Sequence, residues 1–269
     1  MNVDTTQTNH LSVCSGYGGL DLAIKSVVST VRTVAYVEIE AFAIANLVAK
    51  MEAGELDQAP VWSNIKTFPA EQFHGLVDII SGGYPCQPFS AAGKRNPKDP
   101  RRLWPFLRRA VQVIQPGRVF FENVEGHISL GLSSVISDLE EDGYRATWGI
   151  FSAAEVGASH QRKRVFIYGE LADSRCVSGE VPTWRKQSAK QVTGGDGEER
   201  RTFPARPGEP QFDWEEPRTI IPELDGATDG SASGVDATTN RVDRLRLLGN
   251  GVVVATAAKA WIELSKRFE

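Results

Sequence analysis

The chain has 269 residues, 41% of them hydrophobic, and its formal net charge at pH 7 is −4. This length accommodates one large α/β domain, or one domain with a small appendage. No apolar run approaches the roughly 20 residues that cross a bilayer, and the polar N-terminus lacks a secretory pattern, so we expect a cytoplasmic protein without a membrane partner. Cys14, Cys86 and Cys176 are too few and too scattered for a disulfide framework or a zinc site, so we expect no metal.

Short apolar runs alternate with helical patterns in the first half of the chain. Residues 10–14 predict a strand that leads into a glycine turn and a helix, and residues 33–37 predict a second strand before a helix over residues 41–51. Residues 76–81 and 118–121 predict two more buried strands. Strands that alternate with helices are typical of a mainly parallel sheet covered on both faces.

The second half of the chain changes character twice. Residues 144–151 and 164–168 predict two later strands, an antiparallel pair at the edge of the sheet. After about residue 171 the sequence is polar, rich in glycine and proline, and has no sustained hydrophobic periodicity. A regular pattern of apolar and polar residues returns over residues 241–248, before a final helix from about residue 252. We therefore expect an α/β core that is interrupted by an irregular insert.

Three glycines, Gly16, Gly18 and Gly19, lie between the first predicted strand and its helix, where small residues allow a ligand to approach the backbone closely. Glu38 ends the next predicted strand, 20 positions after Gly18, and such a carboxylate suits the hydroxyls of a ribose. Together these features favour a nucleoside cofactor. A tight turn without a ligand has the same local pattern, and a nicotinamide dehydrogenase fits nearly as well.

Cys86 lies in a loop of turn residues that follows the third apolar run. Pro85 and Pro88 stiffen the chain on both sides of it, which suits a thiol held at a fixed position. A cysteine that only fills the core is expected within an apolar run, as Cys14 is. The position of Cys86 after the run therefore favours a nucleophile over an inert core residue.

Glu122 directly follows the apolar residues 118–121. Desolvation beside such a strand would raise the pKa of its carboxyl, which makes Glu122 a candidate acid near neutral pH. Without Cys86, a helix N-cap or a surface acid would be the preferred interpretation.

A basic stretch extends over residues 94–118, where Asp99 is the single acid among eight positive side chains. A solvated face is the simpler explanation, although a local basic patch also serves proteins of net negative charge that contact phosphates. The positive residues are Lys94, Arg95, Lys98, Arg101, Arg102, Arg108, Arg109 and Arg118.

Five segments resemble those of one enzyme family in order and spacing: VCSGYGGLDLA, DIISGGYPCQPFSAAGKR, VFFENVEG, SHQRKRVFIYG and RLRLLGNGVVV. The family is that of the C5-cytosine-specific DNA methyltransferases of bacteria and phages, and the resemblance covers most of residues 11–170 and 241–262. It implies a Rossmann-like, S-adenosylmethionine-dependent methyltransferase sheet with helices on both faces, plus a small irregular target-recognition insert. Residues 1–170 and 241–269 would form the catalytic and cofactor-binding domain, and residues 171–240 the target-recognition region.

The resemblance also implies roles for single residues. Cys86 would be the catalytic nucleophile and Glu122 the carboxyl group that engages the cytosine ring, while Arg162 and Arg164 would hold the base and order the catalytic loop. The residues assigned to S-adenosyl-L-methionine, and to its product S-adenosyl-L-homocysteine, are Cys14, Ser15, Gly16, Gly18, Gly19, Leu20, Glu38, Ile39, Asn64, Ile65, Pro85, Asn250 and Val252. Those assigned to DNA are Gln87, Ser90, Lys94, Arg95 and Arg101.

The implied activity is that of a DNA (cytosine-5-)-methyltransferase, which methylates C5 of a flipped-out cytosine in a specific double-stranded DNA sequence. The reaction would pass through a covalent bond between Cys86 and C6 of the base. We expect a monomer that serves in a restriction system, beside a separately acting endonuclease, or that protects a phage genome by DNA methylation.

Three departures from the family pattern stand out. Asn64 replaces a frequent aspartate, although its amide oxygen can still accept a hydrogen bond from the adenine amino group. Val254 and Ala255 replace the usual Pro-Gln, and the insert is short for a target-recognition domain.

Four other classes of protein compete with a DNA methyltransferase. A tRNA cytosine-5 methyltransferase shares the Pro-Cys-Gln motif, and the polar insert favours DNA over it only weakly. A non-catalytic relative is opposed by the presence of Cys86, Glu122 and both arginines. A dehydrogenase leaves the Pro-Cys-Gln loop unexplained, and amino-methylating enzymes carry an Asp/Asn-Pro-Pro-Tyr/Phe segment that this sequence lacks.

Overall fold

The computed structural model describes residues 7–85, 103–172, 249 and 251–269. These residues contain seven strands: β1 (Thr8–Val13), β2 (Val31–Val37), β3 (Val61–Trp62), β4 (Ile79–Gly82), β5 (Arg118–Val124), β6 (Tyr144–Phe151) and β7 (Arg164–Leu171). The strands form one sheet in the order β3-β2-β1-β4-β5-β7-β6. Neighbours from β3 to β5 run parallel, and β7 is antiparallel to both β5 and β6, as the sequence predicts for the edge pair.

Six helices accompany the sheet in this part of the chain: α1 (Gly19–Val27), α2 (Ala41–Glu52), α3 (Trp104–Ile114), α4 (His127–Leu130), α5 (Leu132–Glu141) and α6 (Val254–Ser265). Apolar residues of α1 recur three and four positions apart, at Leu20, Ala23 and Ile24, and all three are buried against the sheet. Among the described residues, no helix has the length and apolar character that crossing a membrane requires.

Strand β5, which lies between β4 and β7 inside the sheet, has apolar partners on both faces. Val119 and Phe121 belong to the core that α3 and α5 share with the sheet, whereas Phe120 belongs to the core with α1 and α6. Successive side chains of a strand point to opposite faces of the sheet. A strand that is covered on both faces therefore has a continuous run of apolar residues in its sequence. The predicted α/β class, with helices on both faces of the sheet, is therefore confirmed.

The order of the strands determines where a ligand can bind. The chain adds β2 and β3 on one side of β1, and then returns to add β4 and β5 on the other side. In open α/β sheets, ligands bind beyond the carboxyl ends of the strands at such a reversal. The turn after β1 and the loop after β4 therefore lie at the expected binding edge.

Several strand boundaries differ from the prediction, among them those of β4, of β5 and of β7, which continues to Leu171 instead of residue 168. The strand predicted from residue 76 begins only at Ile79, because Leu76 is 60% exposed in the preceding turn. The strand predicted to end at residue 121 continues to Val124, where it still pairs with Arg164 of β7. Glu122 is therefore within a strand and not beyond its end.

Much of the described basic stretch is neutralised within the fold. Arg108 contacts the three acidic side chains Asp138, Glu141 and Asp142 of the α5 region, at 2.5, 3.0 and 2.8 Å. Arg118 is 4% exposed, and its guanidinium group lies 5.6 Å from the centre of the Trp261 ring. For these two arginines neither a solvated face nor a phosphate-binding patch describes the structure, because Arg108 is paired with acidic side chains and Arg118 is buried.

The close contact between β1 and β4 can be tested at Gly82. A Cβ atom at Gly82 would lie 2.6 Å from the carbonyl oxygen of Val13, so Gly82→Ala would force the two strands apart. We expect the free energy of unfolding to fall by about 1–3 kcal/mol. Gly117→Ala is the control, since a Cβ there would meet the Asp78 oxygen at 3.7 Å, an ordinary contact. Urea denaturation measures both variants, and equal losses would contradict the close approach.

Candidate functional site

The turn after β1 is built on backbone conformations that favour glycine. The φ angle is +56° at Gly16 and +81° at Gly18. Gly18 also has no space for a side chain, because a Cβ there would lie 2.6 Å from Cδ1 of Leu56. At Gly16 nothing lies within 4 Å of such an atom, so the backbone of the turn is open on that side. This turn can therefore receive a ligand close to its main chain.

Glu38 links the end of β2 to the glycine turn. Its Oε2 atom accepts a hydrogen bond from the backbone N–H of Gly16 at 2.8 Å. Its Oε1 atom accepts from the N–H groups of Ile39 and Glu40, at 2.8 and 2.9 Å. An ionised carboxylate has about four acceptor positions, so the three bonds leave capacity for a ligand hydroxyl. Glu38 therefore shapes the turn, and its predicted contact with ribose would be an additional role.

The remaining predicted cofactor residues after β2 lie in two short segments. Ile39 is 64% exposed, and Ile65 is buried. Asn64 begins a short 3-10 turn, and its Oδ1 atom accepts a hydrogen bond from the N–H of Lys66 at 3.0 Å. An adenine amino group would share this oxygen with the backbone.

Glu122 and Arg164 form an ion pair between β5 and β7. The Nε atom of Arg164 lies 2.9 Å from Oε1 of Glu122, which is 8% exposed. Burial raises the pKa of the Glu122 carboxyl to about 7, although the nearby charges of Arg164 and Arg162 act to lower it. The raised pKa expected from the sequence is thus present, and near neutral pH the carboxyl can both hold and release a proton.

Arg162 has different partners, although it is only two positions away. Its φ angle is +34°, and its guanidinium Nη2 donates hydrogen bonds to the carbonyl oxygens of Gly249 (3.0 Å) and Gly251. Burial lowers its pKa, but an arginine whose ordinary value is 12.5 keeps its positive charge at neutral pH. In this structure Arg162 therefore holds the segment before α6, while Arg164 holds Glu122.

One cleft brings the glycine turn and Glu122 together. Gly83, which follows β4, approaches Glu122 closely, since a Cβ at this glycine would lie 3.2 Å from Oε2 of the carboxyl. The cleft is lined by Ser12, Val13, Cys14, Ser15, Gly16, Tyr17, Gly19, Leu20, Gly83, Glu122, Gly251 and Val252. Predicted cofactor residues from both ends of the chain therefore share a cavity with the candidate acid.

Buried contacts fix the chain immediately before the predicted nucleophile. The side-chain amide of Asn123 donates a hydrogen bond to the Tyr84 carbonyl at 3.0 Å, and the Tyr84 hydroxyl lies 2.9 Å from Nε2 of His127. Burial lowers the pKa of His127 to about 4, so the imidazole is neutral at pH 7. The Tyr84 ring packs against Trp104 at 5.4 Å between centroids. Pro85 follows directly, so the loop begins from a rigid support.

Several predicted site residues lie outside the described residues, and their assignments stay predictions. They are Cys86, Gln87, Ser90, Lys94, Arg95, Arg101 and Asn250. The region from residue 173 to residue 240 also lies outside, including most of the predicted target-recognition region.

Sequence reasoning did not single out Ser12, Val13 and Gly83, which also line the cleft. Gly83 was detectable, because it follows an apolar strand in the same loop as Cys86. Tyr17 and Gly251 lie within the ranges 16–20 and 250–252 that the resemblance assigns to the cofactor pocket, but the sequence gave no sign of their contact, which joins segments about 235 positions apart. Tyr84 and Asn123 flank recognised motifs, and only their tertiary contacts show what they do.

The sheet order and the glycine turn define a Rossmann-like methyltransferase fold, which solved structures share. Entamoeba histolytica methyltransferase EhMeth aligns with a TM-score of 0.64 at 15% identity, over 98% of this chain and 100% of that one. Spodoptera frugiperda DNMT2 aligns with a TM-score of 0.52 at 23% identity, over 65% of this chain and 54% of that one. At these identities the likeness concerns the fold.

The family is shown by sequence. The chain belongs to the C-5 cytosine-specific DNA methylases, whose family model matches residues 8–224. It is 31% identical over 166 residues to the type II methyltransferase M.NgoMIV of Neisseria gonorrhoeae, a match that covers 60% of this chain and 51% of that enzyme. The chain thus spans about half the length of this relative.

The coupling between Arg164 and Glu122 predicts a shift in acidity. Because the arginine's charge and hydrogen bond both lower the pKa of the carboxyl, Arg164→Gln should move that pKa upward from about 7. Titration of ¹³C-labelled glutamate by NMR, with Glu122→Gln to assign the signal, measures the shift. Arg145→Gln removes an arginine paired with Glu170 instead, and should leave the Glu122 titration unchanged. An unchanged pKa in Arg164→Gln would show that the ion pair does not set it.

Proposed function

We propose that this chain is a DNA (cytosine-5-)-methyltransferase that transfers a methyl group from S-adenosyl-L-methionine to C5 of cytosine in duplex DNA. One observation carries the proposal: a buried carboxyl with a pKa of about 7, paired with Arg164, shares a cleft with a glycine turn. Membership of the cytosine-specific family supports the choice of substrate.

The residues around the glycine turn fit S-adenosyl-L-methionine. The open side of Gly16 permits close approach of a ligand, and Glu38 has acceptor capacity left for the ribose hydroxyls. Asn64 and Ile65 would hold the adenine, and Val252 would close the cleft. When bound, the cofactor would supply an electrophilic methyl group on its sulfonium centre, whose S–CH3 bond electrons stay with sulfur so that the neutral thioether S-adenosyl-L-homocysteine is left.

The residues of the chain would activate the cytosine, which is otherwise a poor nucleophile at C5. The thiolate of Cys86 adds to C6, and the electrons of the C5–C6 double bond become available at C5 for bond formation with the methyl carbon. Glu122 donates a proton or hydrogen bond to N3, so that negative charge does not accumulate on the ring. Arg164 stabilises the negative charge that develops at O2. A base then takes the C5 proton, the C6–S bond breaks, and Cys86 leaves as the thiolate.

The base cannot meet these groups inside a stacked duplex. A DNA substrate must therefore flip its cytosine out, at a cost of a few kcal/mol. Contacts of the loop after Cys86 with phosphates would offset that cost without selecting a sequence. We assign sequence choice to residues 171–240, with Trp184, Arg185, Lys186, Arg200 and Arg201 as candidate DNA contacts. The enzyme would act as a cytoplasmic monomer, with any cognate endonuclease acting separately.

The covalent step can be trapped with a duplex library in which 5-fluorocytosine replaces cytosine. After methyl transfer, C5 carries fluorine instead of a proton, and fluorine cannot leave as a cation. We expect a protein–DNA adduct that survives a denaturing gel, that requires S-adenosyl-L-methionine, and that Cys86→Ala abolishes. A parallel experiment with tRNA that contains 5-fluorocytidine separates the two substrate classes. An adduct that forms only with this tRNA would show that the substrate is tRNA and not DNA.

Cysteine controls accompany the trapping experiment. Burial raises the pKa of the Cys14 thiol to about 12, with a further contribution from Glu38, so this cysteine is protonated and unreactive. Cys14→Ala and Cys176→Ala should both form the adduct. Peptide mapping that places the cross-link on a residue other than Cys86 would refute the assignment of the nucleophile.

The role of Glu38 toward ribose can be separated from its role in the turn. Glu38→Ala should weaken binding of S-adenosyl-L-methionine by about 1–3 kcal/mol, as expected for loss of a charge-assisted hydrogen bond. Calorimetry with the cofactor product and its 2′-deoxy and 3′-deoxy ribose analogues makes the test specific. If Glu38 binds the hydroxyls, the native protein distinguishes these ligands and the variant does not. If both proteins distinguish them equally, Glu38 acts only on the backbone of the turn.

A further inference from the structure

Tyr17 and Gly251 fit together so closely that a side chain at position 251 would have to displace the tyrosine ring. Tyr17 lies in the glycine turn and is 1% exposed. A Cβ atom at Gly251 would lie 1.9 Å from Cε1 of the tyrosine ring and 2.4 Å from its hydroxyl oxygen. The ring therefore occupies the space that a side chain at position 251 would need.

The neighbouring residues on each side form a second contact of the same kind. The Tyr17 hydroxyl donates a hydrogen bond to the carbonyl oxygen of Val252 at 2.6 Å. A Cβ at Gly19 would in turn lie 2.7 Å from Cγ1 of Val252 and 3.1 Å from Cε2 of Tyr17. In each segment a glycine therefore packs against a side chain of the other segment: Gly251 against Tyr17, and Gly19 against Val252. Residues 17 and 252 are 235 positions apart, so tertiary contacts must hold them together.

Resting on the proposed function, we propose that Tyr17 is a positioning residue for the methyl donor. It docks Gly251 and Val252 against the glycine turn, and these residues form part of the wall of the cleft that Glu122 also lines. The Tyr17 hydroxyl is bonded to the Val252 carbonyl, so Tyr17 acts through the docked segment. Arg162 supports the same segment from a third part of the chain through the Gly251 carbonyl.

A double-mutant cycle tests this role by calorimetric affinity for S-adenosyl-L-methionine. Tyr17→Phe keeps the ring and loses the hydroxyl's hydrogen bond to the Val252 carbonyl, so affinity should fall roughly fivefold. Gly251→Ala should weaken binding at least about tenfold, because the added methyl group overpacks the contact. In a Tyr17→Ala background the space is vacant, and the same Gly251→Ala change should alter affinity less than about twofold. Tyr17→Leu serves as the background if Tyr17→Ala does not fold.

Gly249→Ala is the matched control in the same segment. A Cβ at Gly249 meets nothing within 4 Å, and its carbonyl bond to Arg162 is retained, so the affinity should stay within about twofold. Steady-state kinetics provide a readout that general loss of stability would not reproduce. In Gly251→Ala, KM for S-adenosyl-L-methionine should rise, while kcat and KM for DNA change less than about twofold.

The outcomes separate this role from the proposed function. Suppose the native protein binds S-adenosyl-L-methionine, and Gly251→Ala weakens that binding equally in the native and Tyr17→Ala backgrounds. This result overturns the role of Tyr17 and leaves the proposed function standing. Unchanged affinity of Tyr17→Phe and Gly251→Ala for S-adenosyl-L-methionine also overturns the role of Tyr17 alone. A native protein that binds no S-adenosyl-L-methionine overturns the proposed function and the role of Tyr17 together.

Discussion

A carboxylate that is buried loses its favourable hydration. It is stable in the interior only if it takes up a proton or pairs with a positive charge. Glu122 meets this condition through Arg164, at 2.9 Å across the antiparallel β5–β7 pair. Burial outweighs the arginine, so the carboxyl titrates near pH 7 and not near its ordinary value of 4.5. The chemistry proposed for the cleft depends on this balance, since a fully ionised carboxylate could not donate a proton to a base.

The cleft around this carboxyl exists because the backbone lacks side chains where segments meet. Gly83 leaves Glu122 its space, and Gly19 and Gly251 let the start of α1 and the segment before α6 lie against each other. Packed interiors have little free volume, so one added methyl group must move a neighbour. These glycines therefore serve a different purpose from Gly16, where a positive φ angle and open space suit a ligand.

Arginines that are similar in sequence have unrelated roles in the fold. Arg162 and Arg164 lie two positions apart, yet one holds the carbonyl oxygens of Gly249 and Gly251 and the other holds a buried carboxyl. Arg108 belongs to a stretch that reads as a basic patch, although three acids of the α5 region surround it. A count of charges along the chain cannot distinguish these cases, because the partner of each guanidinium comes from a distant segment.

The sequence alone determined the binding edge and six of the seven described strands, but not the two-residue strand β3. Hydrophobic periodicity is local, so the runs at β1, β2 and β5 and the turn at Gly16 were readable, and the Pro-Cys-Gln and Glu-Asn-Val motifs indicated the family. Only the tertiary structure decided that β5 extends to Val124, because pairing with β7 continues it. Tertiary structure likewise decided that Tyr17 meets Gly251. That contact depends on how two segments more than 200 residues apart pack, and no periodicity along the chain encodes such a distance.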